Sequence, residues 1–294
     1  MELAAMPRGI GEASPGRLPS CLVPGIAPVF ACAMLLPGLL SVTFRQRPAR
    51  DIVALASAAG LAGIEWGGDV HVPPNDPATA RAVRKMTEDA GLRISAYGSY
   101  YRAGQSEAAG VSFAQVLETA VALGAPLIRV WAGSVGSAVA GESNRAAVVA
   151  DLRRAAERAA QAGVGVATEW HGDTLTDTTE SAIRLFREVG HADLGTFWQP
   201  RMGDDIGTGL ADLRLLGGHL KAVHVFHWWP TVQDRRPLVE GESAWGTYLV
   251  EVSQVSDGLF ASLEFLPAET EADLRRDATT LKRWLDRENC RAVD

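Results

Sequence analysis

The sequence predicts an α/β protein, a single-domain (β/α)8 TIM barrel, and three observations carry that expectation. From Leu39 onward one unit keeps returning, a helix-period segment closed by a glycine and followed by four to seven apolar residues. The apolar runs are nearly continuous rather than alternating, as expected of parallel strands covered on both faces. No glycine-rich dinucleotide fingerprint follows the first strand, and eight such units then favour closure over an open doubly wound sheet.

The first strand is expected at Leu40-Ser41-Val42-Thr43-Phe44. Ala59-Gly60 precedes the second, Leu61 to Glu65, and Ala90-Gly91 the third, Leu92 to Tyr97. Leu123-Gly124 leads into Pro126 to Trp131, Ala162-Gly163 into Gly165 to Glu169, and Val189-Gly190 into Asp193 to Trp198. Gly217-Gly218 and Asp257-Gly258 open the last two, Leu220 to Val225 and Leu259 to Glu264. Glycine at these junctions suits a helix ending in the left-handed region. Between them, Asp76-Pro77 reads as a cap with proline at the first helical position, and Ser112 as the cap of the next helix. Asn144 to Ala162, Thr178 to Val189 and Ala268 to Arg287 complete the helical set.

Composition narrows the function. Apolar residues make up 47% and charged residues 21%, a globular balance, and the formal net charge of -7 argues against a nucleic-acid partner, which needs a basic stripe. Cys21, Cys32 and Cys290 lie at the two ends without metal-like spacing, so a reducing, cytoplasmic setting is expected. Residues 1–36 are rich in proline, glycine and alanine without a structural period, and are expected to be a disordered or mis-called extension, with Met34 as the native start and 37–290 as the catalytic barrel. Pro24, Pro28 and Pro37 interrupt the apolar stretch there, and no membrane partner is expected.

Barrel enzymes carry their chemistry at the carboxy ends of the strands. The fifth strand, Gly165-Val166-Ala167-Thr168-Glu169, ends in a carboxylate followed by Trp170 and His171, an abrupt finish for a buried strand. Glu169, Gln199, His224 and Glu264 stand at the ends of four successive strands. Each alone is more often a cap, an ion-pair partner or a satisfied core histidine. Together they form a nitrogen-oxygen ligand set without thiolate, suited to one divalent ion, Mn, Mg or Co ahead of Zn. Glu65, Trp66, His71, Arg129, His171, Trp198, His227 and Trp228 surround that set at other strand ends and are the candidate substrate contacts.

The segments Gly63-Ile64-Glu65-Trp66-Gly67-Gly68-Asp69-Val70-His71, Thr168-Glu169-Trp170-His171-Gly172, Val223-His224-Val225 and Leu263-Glu264-Phe265 resemble the sugar phosphate isomerase/epimerase group of the xylose isomerase-like TIM barrels. The resemblance runs from about Met34 to the end. It implies one divalent metal held by Glu169, Gln199, His224 and Glu264, although Gln199-Pro200 stands where Asp-Pro is common and Arg201-Met202 where a substrate-binding histidine is often found. A neutral amide there should weaken affinity for a hard dication. The implied activity is isomerisation or epimerisation of a small sugar or keto-polyol, by proton transfer through a metal-stabilised enediolate between the catalytic carboxylates Glu169 and Glu264. A keto-polyol dehydratase, whose elimination begins with the same proton abstraction, and a non-catalytic sugar-binding barrel are the alternatives. An endonuclease IV-type phosphodiesterase fits poorly with six scattered histidines and an acidic chain. Family resemblance alone suggests a homo-oligomer.

Overall fold

A computed structural model describes residues 34–255 and 258–291 of the protein. Eight parallel strands alternate with eight helices. They run β1 (Leu36–Leu40), α1 (Ala49–Ala58), β2 (Gly63–Gly67), α2 (Pro77–Asp89), β3 (Arg93–Arg102), α3 (Phe113–Leu123), β4 (Leu127–Trp131) and α4 (Glu142–Gln161). The second half continues β5 (Gly165–Glu169), α5 (Thr179–Val189), β6 (Leu194–Trp198), α6 (Ile206–Leu216), β7 (Leu220–Val225), α7 (Glu242–Ser253), β8 (Phe260–Leu263) and α8 (Glu271–Arg291). Each strand pairs with the next and β8 returns to β1, so the sheet is a closed (β/α)8 barrel.

Local signals set the helices. The Asp76 side chain accepts from Thr79 N–H with Pro77 in the first turn of α2. Ser112 and Gln115 form a reciprocal capping box on α3, which ends at Gly124 with φ 74°, a conformation other residues reach only with strain. Outward-pointing strand residues pack on the helices in one core that includes Ile64, Trp66, Ile128, Val166, Trp198, Val223 and Leu263. Each such large side chain contributes about 1.5–3 kcal/mol on burial.

The first strand lies earlier than expected. It is Leu36–Leu40, while Ser41–Phe44 form a 3-10 turn whose side chains are buried all the same. Pro37 has no N–H to give, but its carbonyl accepts from Ala62 N–H. Gly38 is needed because a Cβ would lie 2.3 Å from Ser262 Oγ. The expected extension over residues 1–36 falls outside the described residues up to position 33; Leu35 is buried and Leu36 already pairs with Phe260. Among the described residues no helix is long and apolar enough to cross a membrane.

Candidate active site

The site follows from the two-residue period of the strands. Inside the barrel Ala96, Leu127, Ala167, Phe197 and Ala222 form a small apolar layer. Two residues further along the same strands stand Gly98, Arg129, Glu169, Gln199 and His224, and β2 and β8 add Glu65 and Glu264 at the same end of the barrel. The layer above the apolar plug is therefore almost wholly charged or polar.

Its members are tightly interlocked. Arg129 donates from Nε to Glu65 Oε1 at 2.6 Å and from Nη1 to Glu169 Oε2. The other Glu65 oxygen, Oε2, lies 3.1 Å from His224 Nε2. A carboxylate accepts, so Nε2 carries a proton, and in the neutral ring Nδ1 presents a lone pair. That Nδ1 is buried without a hydrogen-bond partner, 3.7 Å from Glu264 Oε2. Glu169, His224 and Glu264 each offer a ligand atom within 4.8 Å of the others. Gln199 donates from Nε2 to Trp170 O at 2.8 Å, which leaves its Oε1 buried and unpartnered. Two carboxylates and two orphaned acceptors are a donor set that fits a hard or borderline dication.

Burial sets the electrostatics. It works to raise the Glu65 carboxyl, but Arg129 and His224 outweigh it and hold that group at about 2. Burial and the Glu169 charge raise Glu264, with His224 opposing. His224 is lowered by burial but lifted further by Glu65 and Glu264, for a net rise.

Above this floor is a cavity of about 240 Å³ reached by Arg129, Glu169, Gln199 and Glu264, with walls of Arg45, Tyr100, Trp131, His171, Trp228 and Phe265. His171 stacks on Trp131 with centroids 4.6 Å apart, and its Nδ1 lies 2.6 Å from Gly172 O. A carbonyl only accepts, so Nδ1 carries the proton and Nε2 is the free acceptor. Trp228 stacks on Phe226 at 3.8 Å, whereas Trp229 is 56% exposed. A hollow of about 480 Å³ opens at the opposite end, among strand starts such as Pro126, Gly165 and Lys221, without comparable buried acid and base groups.

The expected contacts thus divide. Glu169, Gln199, Glu264, Arg129, His171 and Trp228 meet at the cavity, with His224 beside them in the floor. Glu65 lies beneath, bonded to Arg129 and His224 rather than lining the cavity. Trp66 and Trp198 point out to the helix layer, where Trp198 packs edge-on against Tyr248 and Trp245. His71 is bonded through both ring nitrogens, to Ser41 Oγ and Arg47 O, and is lowered by burial. His227 is half-buried against Gly241. Residues not expected as contacts complete the wall. Arg45 pairs with Asp69 at 2.7 Å and donates to Tyr100 OH at 2.6 Å, and Phe265 lies under the Arg45 guanidinium. Their one sequence signal is proximity to a strand end.

The sequence profile of the xylose isomerase-like TIM barrels matches residues 53–285. The chain belongs to that family. The chain is similar to a 3-dehydroshikimate dehydratase from Bacillus anthracis, 29% identical over 167 residues, which are 53% of this chain and 58% of that protein. The chain thus matches a little over half the length of that relative. Among solved structures, a probable 3-DHS dehydratase from Bacillus anthracis superposes with a TM-score of 0.70 at 23% identity, over 84% of this chain and 99% of that one. An L-ribulose 3-epimerase superposes with a TM-score of 0.66 at 15% identity, over 88% and 97%. At these identities the superpositions show the shared barrel. The family membership makes this an enzyme fold, and a fold of this kind hosts many reactions.

Proposed function

We propose that this chain is a divalent-metal-dependent enzyme that moves a proton at the carbon beside the carbonyl of a small keto-polyol, with isomerisation or epimerisation as the net reaction. The observation that carries this is the buried Glu169, His224 and Glu264 cluster under a cavity, with His224 Nδ1 and Gln199 Oε1 unpartnered. Glu169, Gln199, His224 and Glu264 would hold the ion, Mn, Mg or Co ahead of Zn. Such an ion, when bound, polarises a substrate carbonyl and stabilises the charge that develops on its oxygen.

The chain's own residues supply the rest. Glu169, beside the Arg129 guanidinium, and Glu264, raised by burial and by Glu169, are the two carboxylates of the transfer, one removing the proton and the other returning one. Return to the opposite face of the same carbon is epimerisation, and return to the neighbouring carbon is isomerisation. Trp131, Trp228 and Phe265 offer apolar faces that exclude water, and His171 Nε2, Tyr100 OH and Arg45 offer partners for hydroxyls.

Dehydration is the second reading, favoured by the 29% identity to a dehydratase and by His171 Nε2 as a third proton-transfer group at the cavity. Its first step is the same proton removal. The C–O bond to a neighbouring hydroxyl then breaks, and that hydroxyl leaves as water with a proton from the second of the two carboxylates.

The test is incubation of the Mn²⁺-loaded protein with a panel of ketoses and 3-dehydroshikimate in D₂O, followed by NMR and mass spectrometry. Deuterium at one carbon with the substrate formula retained supports the isomerase or epimerase. Loss of one water supports the dehydratase. Ligand-dependent thermal stabilisation without exchange or turnover would overturn both in favour of a sugar-binding barrel.

A further inference from the structure

Glu65 touches no part of the cavity, yet it is the hinge of the charged layer. It is 2% exposed, and each oxygen has one partner: Arg129 Nε on Oε1 and His224 Nε2 on Oε2. Through Arg129 it bears on Glu169, and through His224 it decides which ring nitrogen faces Glu264. The backbone of β3 is shaped around this pair. A Cβ on Gly98 would lie 2.6 Å from Arg129 Nη2 and 3.0 Å from Glu65 Oε1, so only a glycine leaves room for the ion pair.

We propose that Glu65 is a positioning residue that presets the ligand site, fixing the Nε2–H tautomer of His224 so that Nδ1 points inward and holding Arg129 against Glu169. The inference rests on the metal site proposed above. Hydrogen-bonded carboxylates behind a ligating histidine set its ring orientation and basicity in this way, and their loss costs about 10–100-fold in metal affinity. Glutamine at 65 has one carbonyl oxygen for two donors, and its amide N–H₂ would face one of them, so either the His224 or the Arg129 arm must release.

The experiment is Mn²⁺ titration by calorimetry on the full chain, on Glu65→Gln and on Glu169→Gln, with ¹⁵N NMR of the imidazoles in the metal-free protein above the His224 titration. Wild-type binding weakened about 10–100-fold in Glu65→Gln, with the His224 resonance in the Nε2–H form only when Glu65 is present, is the expected result. Wild-type binding with Glu65→Gln unchanged in affinity and tautomer overturns the role of Glu65 and leaves the metal site standing. A wild-type chain that binds no Mn²⁺ overturns both. If Glu65→Gln does not fold, the wild-type spectrum decides: a neutral His224 carrying its proton on Nδ1 refutes the proposal.

Discussion

Arg129→Met tests the charged layer most directly, because it removes the guanidinium that Glu65 and Glu169 share and keeps most of the stem. The three side chains are 3%, 3% and 6% exposed, so little water can replace what is lost. Glu65 is held at about 2 against an ordinary 4.5, which at about 1.4 kcal/mol per pKa unit is about 3 kcal/mol of stability, shared between Arg129 and His224. Glu169 loses its partner as well, and breaking a buried pair from one side costs about 3–5 kcal/mol. About 4 kcal/mol in total is a fair expectation at pH 7. For a barrel of this size that is about 8–16 °C in Tm, read by circular dichroism in EDTA. The sign with pH follows from the depressed carboxylate. Its stabilisation is fully present above the unfolded value of 4.5 and fades as pH falls through about 2. In the variant Glu65 takes up its proton at higher pH, so the deficit should narrow as acid is added. A Tm within about 3 °C of wild type at pH 7, or a deficit that stays constant into acid, would refute the ion-pair account.

Trp198→Leu should cost about 2–4 kcal/mol by unpacking the contact with Tyr248 and Trp245 while leaving Mn²⁺ affinity unchanged; weaker binding at unchanged Tm would return Trp198 to the site. Gly98→Ala should destabilise by about 1–3 kcal/mol through overpacking against Arg129 and Glu65, and a variant as stable as wild type would show that the pair yields easily. Mn²⁺ affinity should rise with pH and keep rising above the ordinary imidazole value of 6.5, because Glu264 and His224 are both raised and both must shed protons to ligate; calorimetry showing a flat profile would contradict this. Gln199→Asp should lower Tm by a few degrees, since aspartate lacks the N–H that Gln199 gives to Trp170 O. A gain in Mn²⁺ affinity with no thermal cost would show that this hydrogen bond is dispensable.

The barrel was legible because β2 to β8 each follow a glycine that closes the preceding segment and most of them are short apolar runs, and the charged strand ends were legible because Glu169, His224 and Glu264 interrupt such runs. The first strand was misplaced by the composition rule itself. Pro37-Gly38 looks like a strand breaker, yet the proline carbonyl still accepts from Ala62 and the glycine makes room for Ser262. Trp66 and Trp198 were misassigned by proximity. Each follows an inward-facing residue by one position, so strand alternation turns it to the helix layer. Arg45, Tyr100 and Phe265 sit in loops or at the irregular end of β3, where the register shifts between Gly98 and Arg102 and Tyr100 takes φ 57°. No periodicity reports on such positions.

The charge balance of the floor bears on why an amide occupies position 199. Glu65 and Arg129 offset one another, and with neutral His224 the net charge left by Glu169 and Glu264 is that of two carboxylates. One dication cancels it, in a place where an uncompensated buried charge is expensive. A carboxylate at 199 would leave the loaded site negative and would set an oxygen against the Trp170 carbonyl that Gln199 Nε2 now engages. From sequence alone the amide is a weakened ligand. Inside this barrel it is a neutral acceptor whose orientation is fixed by its own N–H, matched to a layer that already contains as many negative charges as Arg129 and one dication can balance.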